Sequence, residues 1–137
     1  MLGIDDAAHE EATADAPRLL ITRLTCSIAG TAGTVRVMPG TLAHRVYGSE
    51  EIVEEFRCSY GLNPAYRDEI ADGRLRITGV DPDGEVRIVE LPGHRFFLGT
   101  LFVPQHSSRP GKPHPLIRAY VQAALDFQPA RRGARSA

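Results

Sequence analysis

Apolar positions along the chain change their spacing several times, and each change marks an element. From Arg18 to Ile28 the residues are mostly β-branched or aliphatic (Leu19, Leu20, Ile21, Thr22, Leu24, Thr25), and after Gly30 and Gly33 a second such run spans 34–38. The two runs predict the strands of a hairpin. Pro39 and Gly40 stop the second run, and Thr41 is placed to cap a short helical turn through Tyr47 that Gly48 ends. A strand is expected over 51–60, after which Gly61, Asn63 and Pro64 turn the chain into a short helix, 65–71, closed by Asp72 and Gly73. Leu75, Ile77 and Val80 then alternate with polar residues. The Asp83-Gly84 pair suits the positive φ of a hairpin turn, and Val86, Ile88 and Val89 return along the partner strand. Beyond the turn at Pro92, Gly93 and His94 comes the most apolar run of the chain, 96–103, expected as a buried central strand.

Residues 104–115 hold Pro104, Pro110, Pro113 and Pro115 and are expected as a stiff loop without regular structure, of a length that usually carries function. The last helix is the clearest element: Leu116, Ile117, Tyr120, Val121, Ala124 and Leu125 recur at three and four residues and predict one face packed on a sheet. The expected organisation is therefore a remnant helix or linker over 1–17, one folded unit over 18–127, and a disordered tail, 128–137, rich in arginine.

Composition narrows the function classes. A chain of 137 residues with 42% hydrophobic and 24% charged residues suits one soluble domain. The net charge of −1 gives no electrostatic case for nucleic acid or an anionic membrane as partner. No apolar run approaches the ~20 residues of a membrane span, and the first residues lack an export signal, so the cytoplasm is the expected compartment. Cys26 and Cys58 are too few for a disulfide framework and are expected as free thiols.

Several residues invite chemistry and gain little support from their spacing. His94, His106 and His114 match no zinc signature, so no metal or cofactor is expected. Cys58 lies inside a predicted strand, away from any elbow or helix start that would lower its pKa, which favours an inert thiol over a nucleophile. The segment 30–34, Gly-Thr-Ala-Gly-Thr, has no lysine or following helix and reads as a turn. Arg57 and Arg109 are candidates for holding a carboxylate, and equally for surface ion pairs.

The proline-rich stretch carries a further signal. Ser108, Arg109, Pro110, Pro113, His114, Pro115 and Leu116 resemble the SRPxxPHPL segment that closes the glutaminase domain of CTP synthases. In the same order, Pro39 to Ala43 with Tyr47 and Gly48 resemble that family's PGTLA and YG. Arg57, Tyr60, Asn63, Tyr66 and Arg67 follow its RHRYEfNxxYR. Thr78, Gly79, Asp81, Pro82, Asp83 and Gly84 echo its turn, and Glu90, Leu91, Pro92 and His94 match its ELPxH. The phrases Phe56 to Pro64 and Leu101 to Gln105 resemble the proteins described as CTP synthase C-terminal region-related. The resemblance implies an α/β fold: part of a class I glutamine amidotransferase-like, flavodoxin-like three-layer domain, this portion rich in β-hairpins with a C-terminal helix.

The same resemblance implies a lost reaction. Family chemistry needs a cysteine on a tight elbow, a histidine base and a carboxylate to orient it. The sequence contains no Gly-x-Cys-x-Gly segment, and the elbow is expected upstream of Met1. Where the family reads FHPEF, this chain has Phe102, Val103, Pro104, Gln105 and His106, so the base position is Val103 and the orienter position is Gln105. Ser59 stands where the family's glutamine-holding arginine would be, leaving Arg57 two residues earlier. In an extended loop His106 would lie about 10 Å from the base position, out of reach. The candidate pocket is then Arg57, Cys58, Ser59, Tyr60, Gln105, His106 and Arg109. The leading expectation is a catalytically degenerate interaction or scaffold module, or half of a split protein. The alternative is a repurposed enzyme with a small-molecule ligand, or a subunit completed by a partner that carries the nucleophile. The expected partners are a second copy or a separate N-terminal amidotransferase half that covers the strand edge.

Overall fold

Five antiparallel strands form the larger sheet, in the order β4 (Glu51–Glu55), β3 (Ala32–Val37), β6 (Arg76–Val80), β7 (Val86–Glu90), β8 (Leu98–Thr100). A smaller sheet joins β1 (Ala7–His9), parallel to β2 (Arg18–Arg23), with β5 (Tyr60–Leu62) antiparallel on the far side. The helices are α1 (Leu42–Tyr47), α2 (Arg67–Asp72), α3 (Pro104–Ser107) and α4 (Pro115–Asp126), and a 3-10 turn spans Pro64–Tyr66. This computed structural model describes residues 4–25, 27–57 and 59–127. Cys26, Cys58 and the expected tail lie outside the described residues. Among those described, no helix is long and apolar enough to cross a membrane.

Local signals place the elements that the sequence specifies most strongly. Thr41 has extended backbone, its Oγ1 accepts from the His44 N–H at 3.1 Å and donates to the Met38 carbonyl at 2.6 Å, and Gly48 closes α1 in the left-handed region at φ 70°. The β6–β7 turn has Gly84 at φ 85°, while Asp81 Oδ1 accepts from the N–H groups of Asp83 (3.0 Å) and Glu85 (2.9 Å). Asn63 caps the 3-10 turn through Ala65, and its Nδ2 donates to the Leu19 carbonyl at 2.8 Å, which ties that turn to β2.

Five expectations are corrected. The runs at 18–28 and 34–38 are not hairpin partners: β2 pairs with β1 and β5, whereas β3 pairs with β4 and β6. The strand expected over 51–60 breaks after Glu55, and the chain re-enters a strand in the other sheet at Tyr60. Residues 96–103 do not form a buried central strand; β8 has only three residues, all half-buried, at the end of the larger sheet. The proline-rich stretch is not wholly irregular, because Pro104 occupies the first turn of α3, where its missing N–H costs nothing. Residues 7–9 of the expected remnant helix or linker form β1.

Two apolar clusters hold these layers. One gathers Val35, Val37, Ala43, Phe56, Ile88, Phe102 and Leu116; the other joins Leu62, Ile70, Ile77 and Val86 between the two sheets and α2. Buried polar groups brace them. Glu90 on β7, 5% exposed, accepts from the N–H groups of Leu42 (2.9 Å) and Ala43 (3.3 Å), placing a carboxylate at the positive end of α1. Arg87, 2% exposed, gives two hydrogen bonds to Asp81 Oδ2, at 3.0 and 2.7 Å, and lies over the Phe56 ring.

Candidate functional site

The two positions that the family resemblance marks as base and orienter sit at the start of α3. Val103 is its extended N-cap, and Gln105 follows Pro104 in the first turn. Both line an open cleft of about 520 Å³. One wall is the even-numbered side of the β8 segment, Phe96, Leu98, Thr100 and Phe102; the other is Leu116, Ile117 and Tyr120 on α4. Among the described residues no imidazole, carboxylate or amine lines this cleft. Its described walls can hold an apolar group but carry no histidine or carboxylate to accept a proton from a nucleophile near pH 7.

The remaining candidate residues do not converge there. Arg57 pairs with Glu55 at 2.8 Å, both side chains nearly half exposed. Ser59 Oγ lies 2.6 Å from Ser27 Oγ, and the Tyr60 ring packs at 5.0 Å from His9 with Arg23 above it. Arg109 turns back on its own loop, its Nη1 donating to the carbonyls of His106 and Ser108, so it holds a turn rather than a carboxylate ligand. None of Arg57, Ser59, Tyr60, His106 or Arg109 lines the cleft of Val103 and Gln105, so the expected pocket is not assembled. Cys58 is outside the described residues.

The distance argument about His106 is also corrected. The segment is not extended: the His106 N–H donates to the Val103 carbonyl at 3.0 Å, across one turn of α3. Residues three apart on a helix have Cβ atoms about 5–6 Å apart, roughly half the extended estimate. What separates His106 from the base position is direction, because it is exposed and faces away from the cleft that Val103 lines.

The polar cluster that the molecule does build was not foreseen. Glu54 and His114 are each 4% exposed at the side chain, with His114 Nε2 2.8 Å from Glu54 Oε1, and the Tyr47 hydroxyl donates to the same oxygen at 2.7 Å. The Leu116 N–H donates to His114 Nδ1 at 3.2 Å, which leaves that nitrogen unprotonated and puts the ring proton on Nε2, facing the carboxylate. Burial, then the Glu54 hydrogen bond and charge, holds the Tyr47 phenol far above its ordinary pKa. Both nitrogens of His114 are committed, so it has no lone pair for a nucleophile. A signal was present: over the run expected as a strand, positions 52, 54 and 56 alternate, and Glu54 stands between apolar Ile52 on β4 and Phe56 just past its end. Such an inward carboxylate requires buried donors, and two of the motif residues, Tyr47 and His114, supply them. Among the described residues no group of three His, Cys, Asp or Glu side chains is arranged to hold a metal ion.

The chain's relatives account for this pattern. It is 46% identical over 97 residues to the CTP synthase of Pelotomaculum thermopropionicum, covering 70% of this chain and 18% of that protein. With the CTP synthase of Rubrobacter xylanophilus it shares 48% identity over 91 residues, 66% of this chain and 16% of that one. Among solved structures, the glutaminase domain of Trypanosoma brucei CTPS with bound acivicin superposes with a TM-score of 0.83 at 26% identity, over 95% of this chain and 55% of that chain. No protein-family model matches. The chain spans less than a fifth of the length of these curated relatives. Framework motifs, fold and sequence identity agree that this chain is a relative of the CTP synthases and corresponds to the C-terminal half of their class I glutamine amidotransferase domain.

Proposed function

We propose that this protein is a catalytically silent glutaminase-like module that acts through binding, as an interaction or scaffold unit or as one half of a split protein. The observation that carries the reading is the cleft at the start of α3, where Val103 and Gln105 occupy the positions that the family resemblance marks as base and orienter, and where none of the described wall residues is a histidine, carboxylate or amine. The inward residues of the shared motifs tell the complementary story: buried Thr41, Asp81, Glu90 and His114 and half-buried Tyr47 each hold a cap, a turn or a buried carboxylate in place. The framework is kept where it stabilises and changed where it would react. With two cysteines in the chain, the cytoplasm is a compartment in which both stay as thiols.

The test is ammonia release from glutamine by the purified chain, together with calorimetric titration of acivicin, which the Trypanosoma brucei domain holds. The expected result is no turnover above buffer and no heat of binding. Turnover that disappears in Cys58→Ala or His106→Ala would overturn the proposal and favour the second reading, a pocket reworked for other chemistry on a small metabolite.

A further inference from the structure

The strand β8 ends the larger sheet, with no described strand paired to its outer edge, and two apolar cavities lie beside it on opposite faces. On one face is the cleft of about 520 Å³ between Leu98, Phe102 and α4. On the other is a cavity of about 150 Å³ lined by Gly99 and Leu101 with Leu20, Leu62 and Ile70. A β-strand sends alternate side chains to opposite faces. One further strand hydrogen-bonded to β8 would thus put apolar side chains into both cavities at once, provided its residues are apolar on both faces. Such a strand reads as a continuous apolar run, the pattern of a strand at the centre of an α/β sheet. Next to it, α4 presents Tyr120 (61%), Val121 (49%), Leu125 (54%) and Phe127 (55%) to solvent, a stripe that asks for an apolar cover of its own.

We infer that the β8 edge and the apolar side of α4 are the docking face for the complementary, strand-and-helix-bearing half of an amidotransferase-like fold, joined by β-strand addition. The solved neighbour supplies the length: this chain matches 55% of that domain at 95% coverage of its own, so a fold of this type carries nearly as much chain again. A second copy of this protein fits less well. Across the edge, the three residues of a second β8 would bring only Gly99, with no side chain, to the face of the smaller cavity, leaving Leu101 beyond the strand's end as the apolar group nearest to it. The inference deepens the interaction reading above and rests on it.

The experiment co-expresses the full chain with a probe of known sequence, the part of the Rubrobacter xylanophilus CTP synthase amidotransferase domain that precedes the matched 91 residues. Light scattering coupled to size exclusion should give a 1:1 complex. Hydrogen exchange should slow at the Leu98 and Thr100 amides. Tyr120→Glu with Leu125→Glu, both exposed and so harmless to the fold of the free chain, should weaken the complex at least tenfold, and Leu98→Lys should do the same at the edge. Recovery of the chain without the fragment, a complex indifferent to these substitutions, or a homodimer that the same substitutions dissolve would each overturn the inference. Failure to dock with glutamine still untouched would sink the docking face alone, whereas ammonia release by the isolated chain would sink the silent-module reading alone.

Discussion

The ion pair of Asp81 with Arg87 and the cluster of Tyr47, Glu54 and His114 bury charge in a small molecule, and each is held by completeness rather than by attraction alone. Removing one member leaves another buried and unpaired. Asp81→Ala strands the Arg87 guanidinium, whose Nη1 already lacks a partner, and should cost about 3–5 kcal/mol in urea unfolding. Tyr47→Phe takes one of two donors from Glu54 and should cost about 1–3 kcal/mol near neutral pH. That tyrosine also sets a pH dependence. Its folded pKa lies above the unfolded value of about 10, so the folded state retains the proton longer. The stability it contributes is full below pH ~10 and falls as pH rises past that point. Wild type should therefore lose urea resistance between pH 9 and 11 more steeply than Tyr47→Phe, in a window set by the same ~10 reference; parallel losses in the two proteins would refute the assignment.

At the scale of elements, packing is close enough to be tested by a single methyl group. A Cβ at Gly79 would lie 2.7 to 2.9 Å from three atoms of Ile88, itself fully buried, so Gly79→Ala should destabilise by about 1–3 kcal/mol. At Gly33 the clash falls on a Phe56 ring carbon at 2.7 Å, which opposes substitution there as well. Elements coded by neighbours in sequence were legible. The cap of α1 at Thr41, its stop at Gly48 and the Asp83-Gly84 turn all act within a few residues, and each stands where its spacing put it; α4 forms as a helix, but the face expected to pack on a sheet is exposed at Tyr120, Val121 and Leu125. Strand partners were not legible, because pairing is decided across long separations: β5 crosses to the small sheet to meet β2, and Asn63 bonds Leu19. The apolar run 96–103 misled for a related reason. Its composition is that of a strand covered on both faces, but among the described residues β8 has a strand neighbour on one edge only. Of the candidate site residues, Val103 and Gln105 share one cleft while Arg57, Ser59 and Tyr60 lie outside it, since motif order along a chain says nothing of which side chains share a cavity.

The whole molecule combines an interior of paired buried carboxylates with an unfinished side. Its buried carboxylates Glu54, Asp81 and Glu90 all find donors, while the apolar side chains of α4 beyond Leu116 stand largely in solvent. Exposed apolar stripes next to an open strand edge promote association. Adding the complementary fragment to the folded chain should accordingly raise its melting midpoint, a gain that Tyr120→Glu with Leu125→Glu abolishes. An unchanged midpoint would mean that the stripe is tolerated in water as it is.

The short helix α3 has no buried residue and lies outside both apolar clusters. Substitutions in its four positions therefore carry little thermodynamic penalty, unlike those at Phe102 immediately before it. The turn at 104–107 and the residues that hold the fold are different residues, so the turn can change without risking collapse. A library randomised over 104–107 should stay folded in nearly every member, making that turn the place where selection could install a new activity on an old frame.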